Sequence, residues 1–96
     1  MTKSDRRVRS RVFFTAFGGN GDVILRKDMS YEDYYGGGCK LIDDDAYRAK
    51  LGIARVAGEI YDSRGDLQQS FENRYNESGQ YVGGKAVHAD GTVIEH

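Results

Sequence analysis

Two β-prone apolar runs, residues 12–17 and 23–25, flank Gly18-Gly19-Asn20-Gly21. Asn-Gly between such runs is a strong hairpin signal, because the type I′ turn it favours needs positive φ at both central positions. The pattern predicts strands near residues 11–18 and 22–27. The last third of the chain reads as further strands. Tyr61-Asp62-Ser63-Arg64-Gly65, Tyr75-Asn76-Glu77-Ser78-Gly79 and His88-Ala89-Asp90-Gly91 are three similar turns, each with a glycine where a left-handed residue is needed. Between the first two, Leu67, Phe71 and Tyr75 fall on one face of a strand, with Gln68, Glu72 and Arg74 on the other. A one-residue slip would expose the apolar set, so this register is well specified. Residues 80–88 and 92–95 complete a three-stranded meander, with a bulge expected at Gly83-Gly84.

Helical periodicity lies between these β regions. Ser30 is a candidate cap three residues before Asp33, and Tyr31, Tyr34 and Tyr35 share a face, which predicts a short helix over about 30–35, ended by Gly36-Gly37-Gly38. Asp43, Asp44 and Asp45 then precede the longest amphipathic pattern. At 100° per residue, Ala46, Ala49, Ile53, Val56, Ala57, Ile60 and Tyr61 fall on one side, opposite Arg48, Arg55, Glu59 and Asp62. This predicts a long helix over about 44–61 with aspartates at its N-terminus. A helix stopped by Gly58, with residues 59–62 as a strand, is the alternative. The expected fold class is α+β: a mostly antiparallel sheet of about five strands, made of the N-terminal hairpin and the C-terminal meander, packed by the long helix and the short one.

A chain of 96 residues fits one domain. The expected organisation is a basic, flexible arm over residues 1–10 followed by a single α+β domain over 11–96. Seven Tyr and four Phe argue against a disordered chain. Proline is absent, which excludes PxxP ligands and proline-rich linkers. The single Cys39 cannot form an internal disulfide. With no secretory signal and no apolar run near ~20 residues, a cytoplasmic location in a bacterium or a phage-infected cell and no membrane association are expected. The net charge of −1 conceals blocks: residues 1–11 carry +4 and residues 22–47 carry −4. That segregation predicts oppositely charged patches rather than a general nucleic-acid coat.

Signals for chemistry are weak. Gly36-Gly37-Gly38-Cys39-Lys40 lacks both GxxxxGK[ST] and GxGxxG and reads as a linker. Cys39 has no nearby base to activate it, and His88, His96 and the Asp43–Asp45 run have no metal-ligand spacing. No catalytic residue, metal or cofactor is expected. Arg64-Gly65-Asp66 and Asn76-Glu77-Ser78 match adhesion and glycosylation motifs that act only outside the cell, so both read as turn residues.

Two features point to binding. Asp28, Glu32, Asp33, Asp43, Asp44 and Asp45 place six acids within eighteen residues, interleaved with Tyr31, Tyr34 and Tyr35. Tyrosine supplies large rigid contact area, and carboxylates spaced across such a patch can dock on a basic groove with steered association. The contact surface expected from sequence is Tyr31, Glu32, Asp33, Tyr34, Tyr35, Asp43, Asp44 and Asp45. The partner expected is a larger protein or nucleoprotein complex, with homodimerisation through an edge strand also open. A small inhibitor or adaptor fits this description. Phage-encoded inhibitors of host defence complexes, anti-CRISPR proteins among them, share its size and general character by analogy only. The alternative is nucleic-acid binding through Arg7, Arg9 and Arg11, which an extended strand would project from one face close to an aromatic run.

Overall fold

The computed structural model describes residues 9–36 and 39–95. They form a small α+β fold around a six-stranded, wholly antiparallel sheet. The strands are β1 (Arg9–Gly18), β2 (Val23–Ser30), β3 (Ile53–Asp62), β4 (Leu67–Tyr75), β5 (Tyr81–His88) and β6 (Val93–Glu95). Their order across the sheet is β2-β1-β3-β4-β5-β6. Between β2 and β3 the chain forms α1 (Tyr31–Tyr35), α2 (Lys40–Asp43) and α3 (Asp45–Leu51). The arm expected over residues 1–10 lies outside the described residues up to Val8, while Arg9 and Ser10 already belong to β1.

The expected hairpin and meander are both present, but the first turn is not type I′, since Gly21 has positive φ and Asn20 does not. All four hairpin connections close alike. Gly18, Asp62, Asn76 and His88 each donate an N–H to a carbonyl four residues on, and a glycine (Gly21, Gly65, Gly79 or Gly91) donates back at 2.9–3.0 Å. These glycines have φ between 78° and 93°, a region that side chains rarely tolerate. Side chains reinforce all four turns, Asn20 accepting from the Asp22 N–H and Asp90 from the Thr92 N–H. The Asp62 carboxylate accepts from the Arg64 and Asp66 N–H groups, and the Asn76 amide oxygen accepts from those of Ser78 and Gln80.

The long helix does not form as expected over 44–61. Asp44 does cap α3, accepting from the Tyr47 N–H at 3.1 Å, but that helix ends at Leu51. Gly52 adopts φ 72° and donates to the Arg48 and Ala49 carbonyls, a left-handed stop. Residues 53–62 are instead β3, paired with β1 on one side and β4 on the other. The helical periodicity arose because a central strand is apolar on both faces, so Val56 and Ile60 at i, i+4 coexist with Ala57 and Tyr61 on the opposite face. Between two strands, only an extended backbone satisfies the N–H and C=O groups of both neighbours.

Side chains at Val12, Phe14 and Ala16 of β1 point to one face of the sheet, together with Val56 and Ile60 of β3, Phe71 of β4 and Ala86 of β5, and all of these are buried. The three helices cover this face, contributing Tyr34, Cys39 and Leu41 to the same core. Gly58 stands at the centre of that layer. A Cβ there would lie 2.5 Å from the Phe13 carbonyl oxygen, 2.6 Å from the Phe14 Cβ and 2.8 Å from the tip of the Phe71 ring. The absence of a side chain at Gly58 lets Phe14 and Phe71 close over β3.

This packing yields a prediction whose sign separates strand from helix. In the interior of an exposed helix Gly→Ala stabilises by up to about 1 kcal/mol. At Gly58 the added methyl group meets backbone and ring atoms, so Gly58→Ala should destabilise by about 1–3 kcal/mol, read as a lower midpoint in urea unfolding.

Candidate functional site

All eight residues of the expected contact surface lie in the helical layer on one side of the sheet. They do not share one role. Ser30 caps α1 by accepting from the Asp33 N–H at 3.1 Å, as its position in the sequence indicates. That cap turns Tyr34 inward, where it is 2% exposed with its ring 5.5 Å from Phe14 and 5.7 Å from Phe71. Tyr34 is a core residue, and its place in the contact surface is withdrawn. The i, i+3, i+4 pattern that grouped the three tyrosines equally marks a buried stripe. Tyr31 is half-buried and stacks on Tyr35 at 4.7 Å, while Tyr35 is 55% exposed.

The carboxylates divide in the same way. Asp44 is the cap of α3. Asp45 is bonded to Arg48, whose side chain is almost wholly buried. Glu32, Asp33 and Asp43 are exposed and hold neither an ion pair nor a side-chain hydrogen bond among the described residues. Asp28 belongs to a different surface: its side chain lies on the opposite face of the sheet, 2.8 Å from Arg11.

The arginines expected to grip phosphates are not aligned either. Arg7 lies outside the described residues. A register shift between Arg9 and Arg11 turns consecutive odd positions to opposite faces of β1. Arg9 therefore reaches the Tyr31 hydroxyl at 3.4 Å and the Gln69 amide oxygen at 3.3 Å on the helical side, and lies 5.8 Å from the Tyr31 ring. Arg11 pairs with Asp28 on the other face. The two-residue spacing assumed a regular strand, and the bulge breaks that assumption.

Arg48 was placed by sequence on the solvated side of a helix, yet it is 3% exposed. Its Nε donates to the Gly79 carbonyl at 2.8 Å, and Nη1 donates to the carbonyls of Leu41 and Ile42 at 3.0 and 2.7 Å. Its Nη2 donates to Asp45, and the guanidinium lies 4.4 Å from the centre of the Tyr75 ring. These are structural contacts, made to backbone acceptors inside the fold.

A recess of about 350 Å³ opens between β2 and α2, lined by Leu25, Met29, Leu41 and Tyr47, with Lys27 and Lys40 beside it and Cys39 at its base. It brings a thiol and two ammonium groups together without a carboxylate or imidazole to act as base. Among the described residues no group of three His, Cys, Asp or Glu side chains is placed to hold a metal ion, and no helix is long and apolar enough to cross a membrane. No protein-family model matches the chain, and neither a curated protein nor a solved structure matches it.

Two predictions follow from the inward-facing groups. Arg48→Ala leaves the Gly79, Leu41 and Ile42 carbonyls without their donor and should cost about 3–5 kcal/mol, whereas Asp45→Ala, at a 58% exposed side chain, should cost no more than about 1 kcal/mol. Paired thermal or urea melts would measure the contrast. Burial, with smaller contributions from Tyr35, Tyr75 and Cys39, pushes the Tyr34 phenol far above its ordinary range. The folded chain therefore keeps this proton while the unfolded chain loses it from about pH 10. Stability should be intact below about pH 10 and fall as the pH rises further, and the fall should be shallower in Tyr34→Phe when urea midpoints are measured between about pH 9 and 11.

Proposed function

We propose that this chain is a non-catalytic protein-binding module, a small inhibitor or adaptor that docks through the outer surface of its helical layer on a larger assembly with a basic groove. The observation that carries this reading is the set of exposed carboxylates with no role in the fold. Glu32, Asp33 and Asp43 sit on the helical side of the sheet beside half-exposed Tyr35 and the fold-committed Asp44 and Asp45. Carboxylates without partners among the described residues are available to cations of a partner, and they steer its approach. The shape is compatible with a groove, since the body measures 49 × 26 × 20 Å. The nucleic-acid alternative loses support because Arg9 and Arg11 face opposite sides and already have partners.

The roles of the acids dictate the test. Glu32→Lys, Asp33→Lys and Asp43→Lys change no cap and no buried ion pair, so the triple variant should keep the native circular dichroism spectrum. Immobilised wild-type chain should capture from a bacterial lysate a basic protein that the triple variant does not capture. Salt near 1 M, where the screening length is about 3 Å, should release it. Equal capture by both baits, or capture indifferent to salt, would refute the reading.

A further inference from the structure

The sheet has a second face, and no described residue of the chain covers it. Phe13, Thr15 and Phe17 of β1, Ala57 of β3, Ser70 of β4 and Val87 of β5 point to this side. Phe13 is 47% exposed, an unusual position for a phenylalanine on a rigid central strand. Beside it lies a hollow of about 310 Å³ whose lining includes Thr15, Ala57, Gly58 and Ser70 together with Phe13 and Glu59. Thr15 lies directly opposite Ala57 across β1 and β3, and Phe13 lies opposite Glu59, so the projecting ring and the hollow are adjacent on one surface.

A knob next to a hole of matching chemistry is self-complementary under a two-fold axis: each copy places its knob in the other's hole, the isologous arrangement of closed dimers. We propose that a second copy of this chain packs face to face on the open side of the sheet, with Phe13 of each copy seated over the Thr15–Ala57–Ser70 hollow of the other. Three observations favour a second copy over another occupant. The available area is adequate. Five strands of at least eight residues, at about 4.8 Å between strands and about 3.3 Å per residue, span a surface on the order of 600 Å² per copy, so the pair reaches about 1,200 Å², the lower bound of specific interfaces.

The ionic groups of this face nearly balance: Arg11, Arg26, Arg55, Arg74 and Lys85 stand against Asp28, Glu59, Glu72 and Glu95. Arg11 pairs with Asp28 at 2.8 Å, and Arg55 pairs with Glu72 at 3.1 Å while lying 4.0 Å from the centre of the Phe17 ring. A face of mixed and nearly balanced charge has little net attraction for a phosphate backbone, and it meets a copy of itself without strong net repulsion. Finally, the hollow lies between β1 and β4, near the middle of the sheet, where binding energy concentrates in interfaces. Packing on this face leaves the helical layers outward, one on each side of the dimer, so the inference does not depend on the acidic-surface reading.

The test is sedimentation of the full-length chain over a wide dilution series, with two variants whose far-ultraviolet circular dichroism is checked first. Phe13→Glu replaces the knob by a charge. Ala57→Lys fills the hole from the exposed face, with the new ammonium opposite Glu72 across the strand pair. The wild type is expected to pass from 10.7 kDa to twice that mass as concentration rises, and each folded variant to raise the dimer dissociation constant at least about tenfold. A wild type that stays monomeric, or a smaller effect from a folded variant, overturns the proposal. A dimer joined through the edge strands β2 or β6 would be insensitive to both substitutions and is distinguished in the same way.

Discussion

One buried guanidinium ties α2 and α3 to each other and to the β4–β5 turn. Arg48 reaches from α3 to the last turn of α2, to the β4–β5 turn at Gly79 and to the ring of Tyr75. Helices of four, five and seven residues have no stability of their own, because nucleation is unfavourable and each leaves most of its backbone groups without helical partners. Arg48 supplies donors to carbonyls at the end of α2 that would otherwise be buried and unpaired. The β4–β5 turn is fitted to this contact. A Cβ at Gly79 would collide with the Asp45 carbonyl and meet the Ala49 nitrogen at 2.9 Å, so only glycine lets the turn come close enough to accept from Arg48.

From that anchoring follows the asymmetry of the molecule. One side of the sheet is sealed by a layer whose inner surface is Tyr34, Cys39 and Leu41 and whose outer surface is acidic. The other side stays a bare β surface with a half-exposed phenylalanine at its centre. An antiparallel sheet tolerates a solvated face, which is normally polar. The departure from that norm centres on Phe13 and the small residues beside it, with Val93 also exposed on the short β6, and its position above the middle strands is what the proposed dimer uses. The two sides thus offer different chemistry: charge and tyrosine on one, shape on the other.

Acidic residues close together in sequence are not interchangeable in this fold. Asp44 satisfies a helix N-terminus and Asp45 offsets the charge of Arg48, while Asp43, one position earlier, ends α2 and faces solvent. Of three consecutive aspartates, two therefore carry separate tasks and the first is spare. The tyrosines of α1 divide likewise, because a five-residue helix lying on a sheet must present one side chain per turn to the core. The proposed function on the helical side accordingly rests on groups the fold does not consume.

Local chemistry was legible from the residues alone. Asn-Gly and Asp-Gly segments specify their turns through backbone conformations that only glycine adopts readily, and alternation in residues 67–75 specifies a strand whose Phe71 and Tyr75 face the core, though Leu67 at its start remains 41% exposed. Ser30 and Asp44 cap helices because a short side-chain acceptor at that position has an N–H to meet. Tertiary structure decided the rest. Residues 53–62 carry a pattern compatible with either period, and the demand of β1 and β4 for backbone partners made them a strand. A bulge between Arg9 and Arg11 separated two side chains that regular spacing would have aligned, and burial drew Tyr34 and Arg48 inward. Each of these outcomes depends on a neighbour distant in sequence, and so lies beyond what any local pattern encodes.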